Sequence, residues 1–160
     1  MPTLPVLSWE KQTLKLRNPF RLSYGATEER QSFWLRLRDD EGWGEASIPP
    51  YYRVDSGEMI ACWQRANDAN KALPDTVDQI AAWVPDGPAP ARCAIELALF
   101  DRLAKCRDVP LYQLLDLPRP RELSTTFTIS IDTPDAMAAM ATQIANYPLI
   151  KLKLGSDDDE

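Results

Sequence analysis

The fold is decided by residues 125–155, which read TTFTISIDTPDAMAAMATQIANYPLIKLKLG. The β-branched and aromatic run at 125–131 predicts one strand, and the run at 149–154 predicts a second. Between them, Thr133 can cap a helix whose first residue is Pro134. A strand, a helix and a strand within about 30 residues form a βαβ unit with parallel strands. Because parallel sheets need cover on both faces and more than two strands, we expect this unit to be the start of a larger sheet.

The region before this unit predicts a different architecture. Apolar and polar residues alternate at 13–17 and again at 33–38, which is typical of half-buried antiparallel strands. Turn residues at 39–42 lead into a returning strand at 43–46. A short antiparallel meander is therefore expected at the amino end.

Helices are predicted after the meander. Capping-box spacing begins at Asp55 and again at Thr76, each followed by apolar residues at helical intervals. A third helix, Ala91–Cys106, is apolar on nearly all sides and is therefore expected to be buried between two bodies. We expect Trp43 and Trp63 to be core residues.

The composition excludes several classes of protein. The 160 residues are 44% hydrophobic and 26% charged, which is typical of a soluble globular chain of one or two domains. No apolar run approaches about 18 residues, so a transmembrane helix is not expected. The absence of a signal-peptide pattern and the odd number of cysteines, 3, favour a reduced, cytoplasmic compartment. A net charge of −6 argues against nucleic acid or an anionic membrane as partner.

A lysine pair on the second predicted strand is the main chemical feature of a chain that has no histidine. Lys151 and Lys153 are two residues apart, so their side chains lie on one face of the strand. Inside a closed parallel barrel they would face the interior at the rim where such enzymes do chemistry. Two neighbouring ammonium groups disfavour each other's charged form, which makes a neutral amine available as a base. The alternative is an edge strand with both lysines in water, and spacing alone favours that alternative.

Six segments in chain order resemble the amino-terminal part of the enolase superfamily, in its muconate-lactonizing subgroup. These are PFRLSYG at 19–25, GWGEA at 42–46, AIELALFD at 94–101, PLYQLL at 110–115, TFTISID at 126–132 and IKLKLG at 150–155. The six cover almost the whole chain, and this resemblance favours the catalytic interpretation of the lysine pair over the edge-strand one.

The resemblance implies an α+β capping domain over residues 1–120, followed over 121–160 by the first βαβ unit of a β/α (TIM-type) barrel truncated after its second strand. Enzymes of this superfamily remove a proton next to a carboxylate and stabilise the resulting enediolate with Mg²⁺. By the family pattern Lys153 is the base, and Lys151 tunes it. The Mg²⁺ ligands are expected downstream of residue 160, with none in this chain.

Within the superfamily, the segments are most similar to those of dipeptide epimerases. The resemblance implies that Thr128 lies at the pocket rim, where its hydroxyl meets the substrate; a strand threonine chosen for β propensity is the alternative. Tyr24 stands where many such epimerases carry arginine. Tyr24 and Tyr51 are expected either to contact a hydrophobic dipeptide side chain or to pack the loops. The substrate would be a small molecule, a dipeptide or another carboxylate.

Three functional hypotheses follow. The first is a Mg²⁺-dependent dipeptide epimerase that inverts an α-carbon by 1,1-proton transfer, with the 160-residue chain inactive on its own. The second is muconate cycloisomerase or o-succinylbenzoate synthase chemistry, which uses the same lysine pair. The third, of another class, is a non-catalytic cap-like fragment. The sequence leaves the oligomeric state open, a homo-oligomer of the complete protein included.

Overall fold

An antiparallel sheet opens the structure, a computed structural model that describes residues 6–23, 25–49 and 52–155. Its strands are β1 (Leu7–Leu22), β2 (Gly25–Leu37) and β3 (Gly42–Ser47), in the spatial order β1-β2-β3. Strands β2 and β3 pair antiparallel, with Phe33 opposite Ala46. The predicted meander is confirmed, and its first strand is longer than the alternation at 13–17 indicated.

Four helices follow in this part of the described chain: α1 (Ser56–Asp68), α2 (Ile80–Trp83), α3 (Ala89–Cys106) and α4 (Leu111–Leu114). The predicted cap at Asp55 is confirmed, because its carboxylate accepts a hydrogen bond of 2.8 Å from the backbone N–H of Gly57. The predicted cap at Thr76 is wrong. Its side chain makes no capping hydrogen bond, and the side-chain oxygen of Gln79 instead accepts one of 2.9 Å from the N–H of Asp75. Residues 77–79 consequently form a 3₁₀ turn before α2.

The chain divides into two units. The first unit, residues 1–14 and 31–120, has the main core; its largest fully buried side chains are Leu7, Leu35, Leu37, Met59, Cys62, Trp63, Ile95 and Leu99. Helix α3 lies against strand β3 at very short range. A Cβ at Gly44 would lie 1.9 Å from the carbonyl oxygen of Ala94, and one at Gly42 would lie 2.1 Å from that of Ala98. Only glycine fits at these two positions, so the glycines set the distance between sheet and helix.

The tryptophan between those glycines is not a core residue, which corrects the expectation for Trp43. Side chains alternate along a strand, so when Gly42 and Gly44 face α3 the side chain of Trp43 faces the other way. It is 37% exposed, with its ring centroid 5.9 Å from that of Trp34 and with the guanidinium of Arg36 4.3 Å above its ring. Trp63, by contrast, is fully buried as predicted.

The second unit, residues 15–30 and 121–160, contains the predicted βαβ segment. Its elements are β4 (Thr126–Ile129), α5 (Pro134–Gln143) and β5 (Leu149–Leu152), and β4 and β5 pair in parallel. The hydroxyl of Thr133 accepts a hydrogen bond from the N–H of Ala136, which confirms the predicted cap of α5. An α+β domain followed by the first parallel strands of a β/α fold is therefore confirmed. Within the described residues, no helix is both long and apolar enough to cross a membrane.

Candidate active site

The register of the parallel strands sets the positions of the three predicted site residues that the structure describes. Thr128 is the direct partner of Lys151, and the backbone N–H of Lys153 donates a hydrogen bond of 3.1 Å to the carbonyl of Ile129. Because side chains alternate along a strand, Lys151 lies on the same face as Thr128. Lys153 directly follows the last residue of β5, and its hydrogen bond to Ile129 continues the ladder by one step, which puts it on that face as well. The opposite face carries Ile129 and its partner Leu152.

The two lysines differ in their surroundings. Lys151 is exposed, whereas Lys153 is half-buried. The ammonium nitrogen of Lys153 lies 5.8 Å from the ring centroid of Phe20, a half-buried residue near the end of β1. The guanidinium carbon of Arg30, on β2, lies 5.9 Å from the same centroid. The hairpin tip, residues 15–30, therefore brings an aromatic ring and a second cation into the neighbourhood of Lys153.

An ion pair joins the hairpin tip to the end of β4. The guanidinium of Arg21 contacts the carboxylate of Asp132. The other oxygen of Asp132 accepts a hydrogen bond of 2.9 Å from the N–H of Thr133, the residue that caps α5. Both side chains are exposed, and exposed pairs contribute only about 0–1 kcal/mol to stability. The pair therefore adds little stability, and what it shows is that Arg21, the residue next to Phe20, lies beside Asp132.

A cleft of about 310 Å³ lies within this unit. It is lined by residues 16–21 of the hairpin tip, by β4 with the residues after it, and by the first turns of α5. Thr128 is among the lining residues, whereas Lys151 and Lys153 are not, and its implied place at a catalytic pocket rim stays a prediction. Thr128 is half-buried and its hydroxyl faces the same strand surface as the lysines.

Two predicted substrate contacts, Tyr24 and Tyr51, lie outside the described residues. Three residues that the structure adds are Phe20, Arg21 and Asp132. All three belong to segments that resemble the family, but the resemblance gives them no role, and Arg21 is 111 positions from Asp132. No local pattern in the sequence signals a pair so far apart.

The residues present do not fit a Mg²⁺ site. Mg²⁺ is held by carboxylate and other oxygen ligands in near-octahedral geometry. Across 6–23, 25–49 and 52–155, no three Asp, Glu, His or Cys side chains are grouped so that they could hold a metal ion.

Comparison with known proteins gives relatives that are named epimerases and racemases. The chain is 34% identical over 154 residues to an L-Ala-D/L-Glu epimerase of Bacteroides thetaiotaomicron, a match that covers 92% of this chain and 40% of the relative. The structure of the present chain superimposes on that of an enolase family member from Agrobacterium tumefaciens with homology to dipeptide epimerases, with a TM-score of 0.79 and 29% identity. That protein was solved with sodium and L-Ala-L-Glu, and the match covers 96% of this chain and 47% of that one. No family model matches the chain.

A third similar protein is the dipeptide epimerase from Cytophaga hutchinsonii, complexed with Mg and D-Ala-L-Val. The TM-score is 0.75 at 25% identity, and the match covers 94% of this chain and 44% of that one. In sequence and in fold the chain is similar to enzymes of the enolase superfamily. Its homologues are dipeptide epimerases and an N-succinyl racemase, which are isomerases, and the chain corresponds to their amino-terminal part. It spans a little under half the length of these relatives.

Proposed function

We propose that the complete protein is a dipeptide epimerase, which inverts the α-carbon of one residue of a dipeptide by 1,1-proton transfer. The observation that supports this most strongly is the placement of Thr128, Lys151 and Lys153 on one face of a parallel strand pair. This placement occurs in a chain whose homologues are named dipeptide epimerases.

The roles proposed for these residues follow from their chemistry. The amine of Lys153 takes the α-proton, so the C–H bond breaks and its electron pair moves toward the adjacent carboxylate. The ammonium of Lys151 lies on the same face and opposes the negative charge that develops on that carboxylate. The hydroxyl of Thr128, both donor and acceptor, is suited to orient a substrate amide or carboxylate. Lys153 keeps the proton it took, and a second acid–base group on the opposite side of the carbon, which we expect outside this chain, donates its own proton there and completes the inversion.

Two further properties belong to this proposal. We expect the reaction to require Mg²⁺, whose ligands lie outside this chain, and the Cytophaga hutchinsonii relative was solved with Mg and a dipeptide. Such an ion stabilises negative charge on carboxylate oxygens. We also expect the protein to act in the cytoplasm.

The experiment is exchange of the α-proton in D₂O. The complete protein, with Mg²⁺ added, is incubated with a small panel of dipeptides, and loss of each α-proton signal is followed by ¹H NMR. Exchange and epimer formation with at least one dipeptide are expected. Absence of exchange with every dipeptide would contradict the proposal.

The same assay tests the chain by itself. Because the 160 residues span under half the length of the relatives, we expect the isolated chain to catalyse no exchange. Measurable turnover by the purified 160-residue chain would contradict this expectation without affecting the assignment of the complete protein.

A further inference from the structure

We propose that Phe20 is a positioning residue for Lys153, whose ammonium its aromatic ring holds at the strand face shared with Thr128. The proposal rests on the proposed function, in which Lys153 transfers the proton. It adds a residue that acts through Lys153 and does not itself react.

The geometry at the ring carries the proposal. The ammonium nitrogen of Lys153 lies 5.8 Å from the ring centroid of Phe20, within the roughly 6 Å range of a cation–π attraction. Both side chains are half-buried, so the attraction is less screened than in bulk water. Lys151 lies on the same strand face two residues earlier and is exposed. The lysine that contacts the ring is thus the less exposed member of the pair.

The hairpin tip fixes the ring from its own side. The neighbouring Arg21 is paired with Asp132, which also accepts a hydrogen bond from the N–H of Thr133. Arg30 approaches the ring with its guanidinium carbon at 5.9 Å. Its Nη1 is a buried nitrogen that finds no hydrogen-bond acceptor among the described residues. The ring of Phe20 is therefore an attractive contact for two cations, and an aliphatic side chain of similar size would remove this contact from both.

Proton transfer makes the position of the lysine nitrogen important. The side chain of lysine is a flexible four-carbon stem with about 2 kcal/mol of rotamer entropy. A general base must come within about 2.6–3.2 Å of the atom that carries the proton. A displacement of roughly 1 Å can lower a rate 100-fold. The ring attracts the nitrogen of Lys153 as it gains positive charge during the transfer, so the contact favours the productive position in the transition state.

The contact itself is tested by NMR on the 160-residue chain with ¹³C-labelled lysine. The ring current of Phe20 is expected to shift the ε-methylene protons of Lys153 upfield from those of Lys151. Phe20→Leu is expected to remove this difference, and Phe20→Tyr, which keeps the ring, is expected to retain it. An unchanged Lys153 signal in Phe20→Leu would overturn the proposal. The remaining lysine signals report in the same spectra whether each variant is folded.

The positioning role is tested by kinetics of the complete protein. Phe20→Leu is expected to lower kcat for α-proton exchange roughly three- to tenfold with KM unchanged, a factor that corresponds to the strength of a cation–π contact. Phe20→Tyr is expected to restore kcat to within about twofold of the wild type. The matched control is Phe100→Leu, the same substitution at a half-buried position on α3 in the other unit, where kcat should not change.

The outcomes separate the two proposals. An active wild type in which Phe20→Leu keeps its kcat, or in which Phe20→Tyr is as impaired as Phe20→Leu, overturns the positioning role and leaves the proposed function standing. A wild type that exchanges no α-proton overturns the proposed function, and the positioning role is overturned with it. In that last case the NMR experiment still decides whether the ring and the ammonium are in contact.

Discussion

The two units of the chain differ in how they use apolar residues. In the first unit, Trp63 and Leu99 are completely buried within a continuous core. In the second unit, Ile150, Leu152 and Leu154 are 40%, 54% and 68% exposed. One unit therefore buries its apolar side chains, and the other leaves the apolar face of β5 in contact with solvent.

Because of this difference, we expect the stability of the chain to depend mainly on the first unit and its proposed activity on the second. Burial of one large aliphatic side chain contributes about 1.5–3 kcal/mol, so the first unit accounts for most of the folding free energy that the chain gains from apolar burial. The second unit carries the candidate site residues on the other face of the same strands. Substitutions in the second unit should therefore change activity with little change in stability, and substitutions in the first should do the reverse.

The largest expected effect is on catalysis, from Lys153→Ala in the complete protein. Removal of the proposed base should lower the rate of α-proton exchange by about 10²–10⁴-fold, because the proton then has no positioned acceptor. Substrate binding should persist. Both are measured by exchange kinetics in D₂O and by titration with a dipeptide.

The matched control for this substitution is Lys71→Ala, an exposed lysine of the first unit, which should leave both quantities unchanged. Equal activity of Lys153→Ala and wild type would contradict the proposal that Lys153, in the second unit, is the catalytic base. A large fall in the midpoint of urea unfolding for Lys153→Ala would show instead that the residue is structural.

The next effect tests the two cores with the same substitution in each unit. Leu35→Ala creates a cavity at a fully buried position and should lower the free energy of unfolding of the 160-residue chain by about 2–5 kcal/mol. Leu152→Ala alters a side chain that is already half in solvent and should stay within about 0.5 kcal/mol. Urea unfolding followed by tryptophan fluorescence and circular dichroism measures both. Similar losses for the two variants would mean that the units share one core.

The sequence predicted those elements that have a local physical signal. The alternation at 33–38, the cap at Asp55 and the Thr133-Pro134 start of α5 each depend on neighbours within four residues, and each is confirmed. The predicted cap at Thr76 is wrong, because its side chain makes no capping hydrogen bond and the backbone N–H of Gln79 bonds the carbonyl of Thr76 in a 3₁₀ turn.

Contacts between residues far apart in the chain could not be predicted from the sequence. The exposure of Trp43 follows from which face of β3 packs on α3, and a strand of the form Gly-Trp-Gly does not by itself indicate that face. The contact of Phe20 with Lys153 joins residues from opposite ends of the chain. The sequence therefore named the lysine pair and Thr128 as candidates, whose roles stay predictions, and gave no signal for Phe20 or for the ion pair of Arg21 with Asp132.

A smaller effect tests the short distance between β3 and α3. Gly44→Ala places a Cβ 1.9 Å from a backbone oxygen of α3, so the sheet and helix must separate; we expect the free energy of unfolding to fall by about 3 kcal/mol. The control is Gly57→Ala in the first turn of α1, where the nearest atom to a new Cβ is 3.4 Å away. That variant should be neutral or about 0.5 kcal/mol more stable, since alanine favours helix over glycine. Equal effects of the two substitutions in urea unfolding would contradict the close packing.

The smallest effect is a pH dependence that belongs to the first unit alone. Cys62 is buried, and burial raises the pKa of its thiol above the ordinary value, although the nearby guanidinium groups of Arg65 and Arg92 act in the opposite direction. An unfolded cysteine ionises near pH 8.5, so above that pH the unfolded state loses a proton that the folded state keeps. The stabilisation is complete below about pH 8.5 and is lost as the pH rises through the folded-state pKa, by at most about 1.4 kcal/mol per pH unit.

The measurement for Cys62 is the difference in unfolding free energy between wild type and variant, followed from pH 7 to pH 10. For Cys62→Ala the difference should change with pH above 8.5, because only the wild type has this thiol to ionise on unfolding. For Cys93→Ala, at an exposed free cysteine, the difference should stay constant. In a separate labelling experiment on the native chain, Cys93 and Cys106 should react with a thiol reagent, and Cys62 should react only after unfolding. If Cys62 reacted as fast as Cys93 in native buffer, the core of the first unit would open readily. The two units would then no longer differ in how well they bury their apolar side chains.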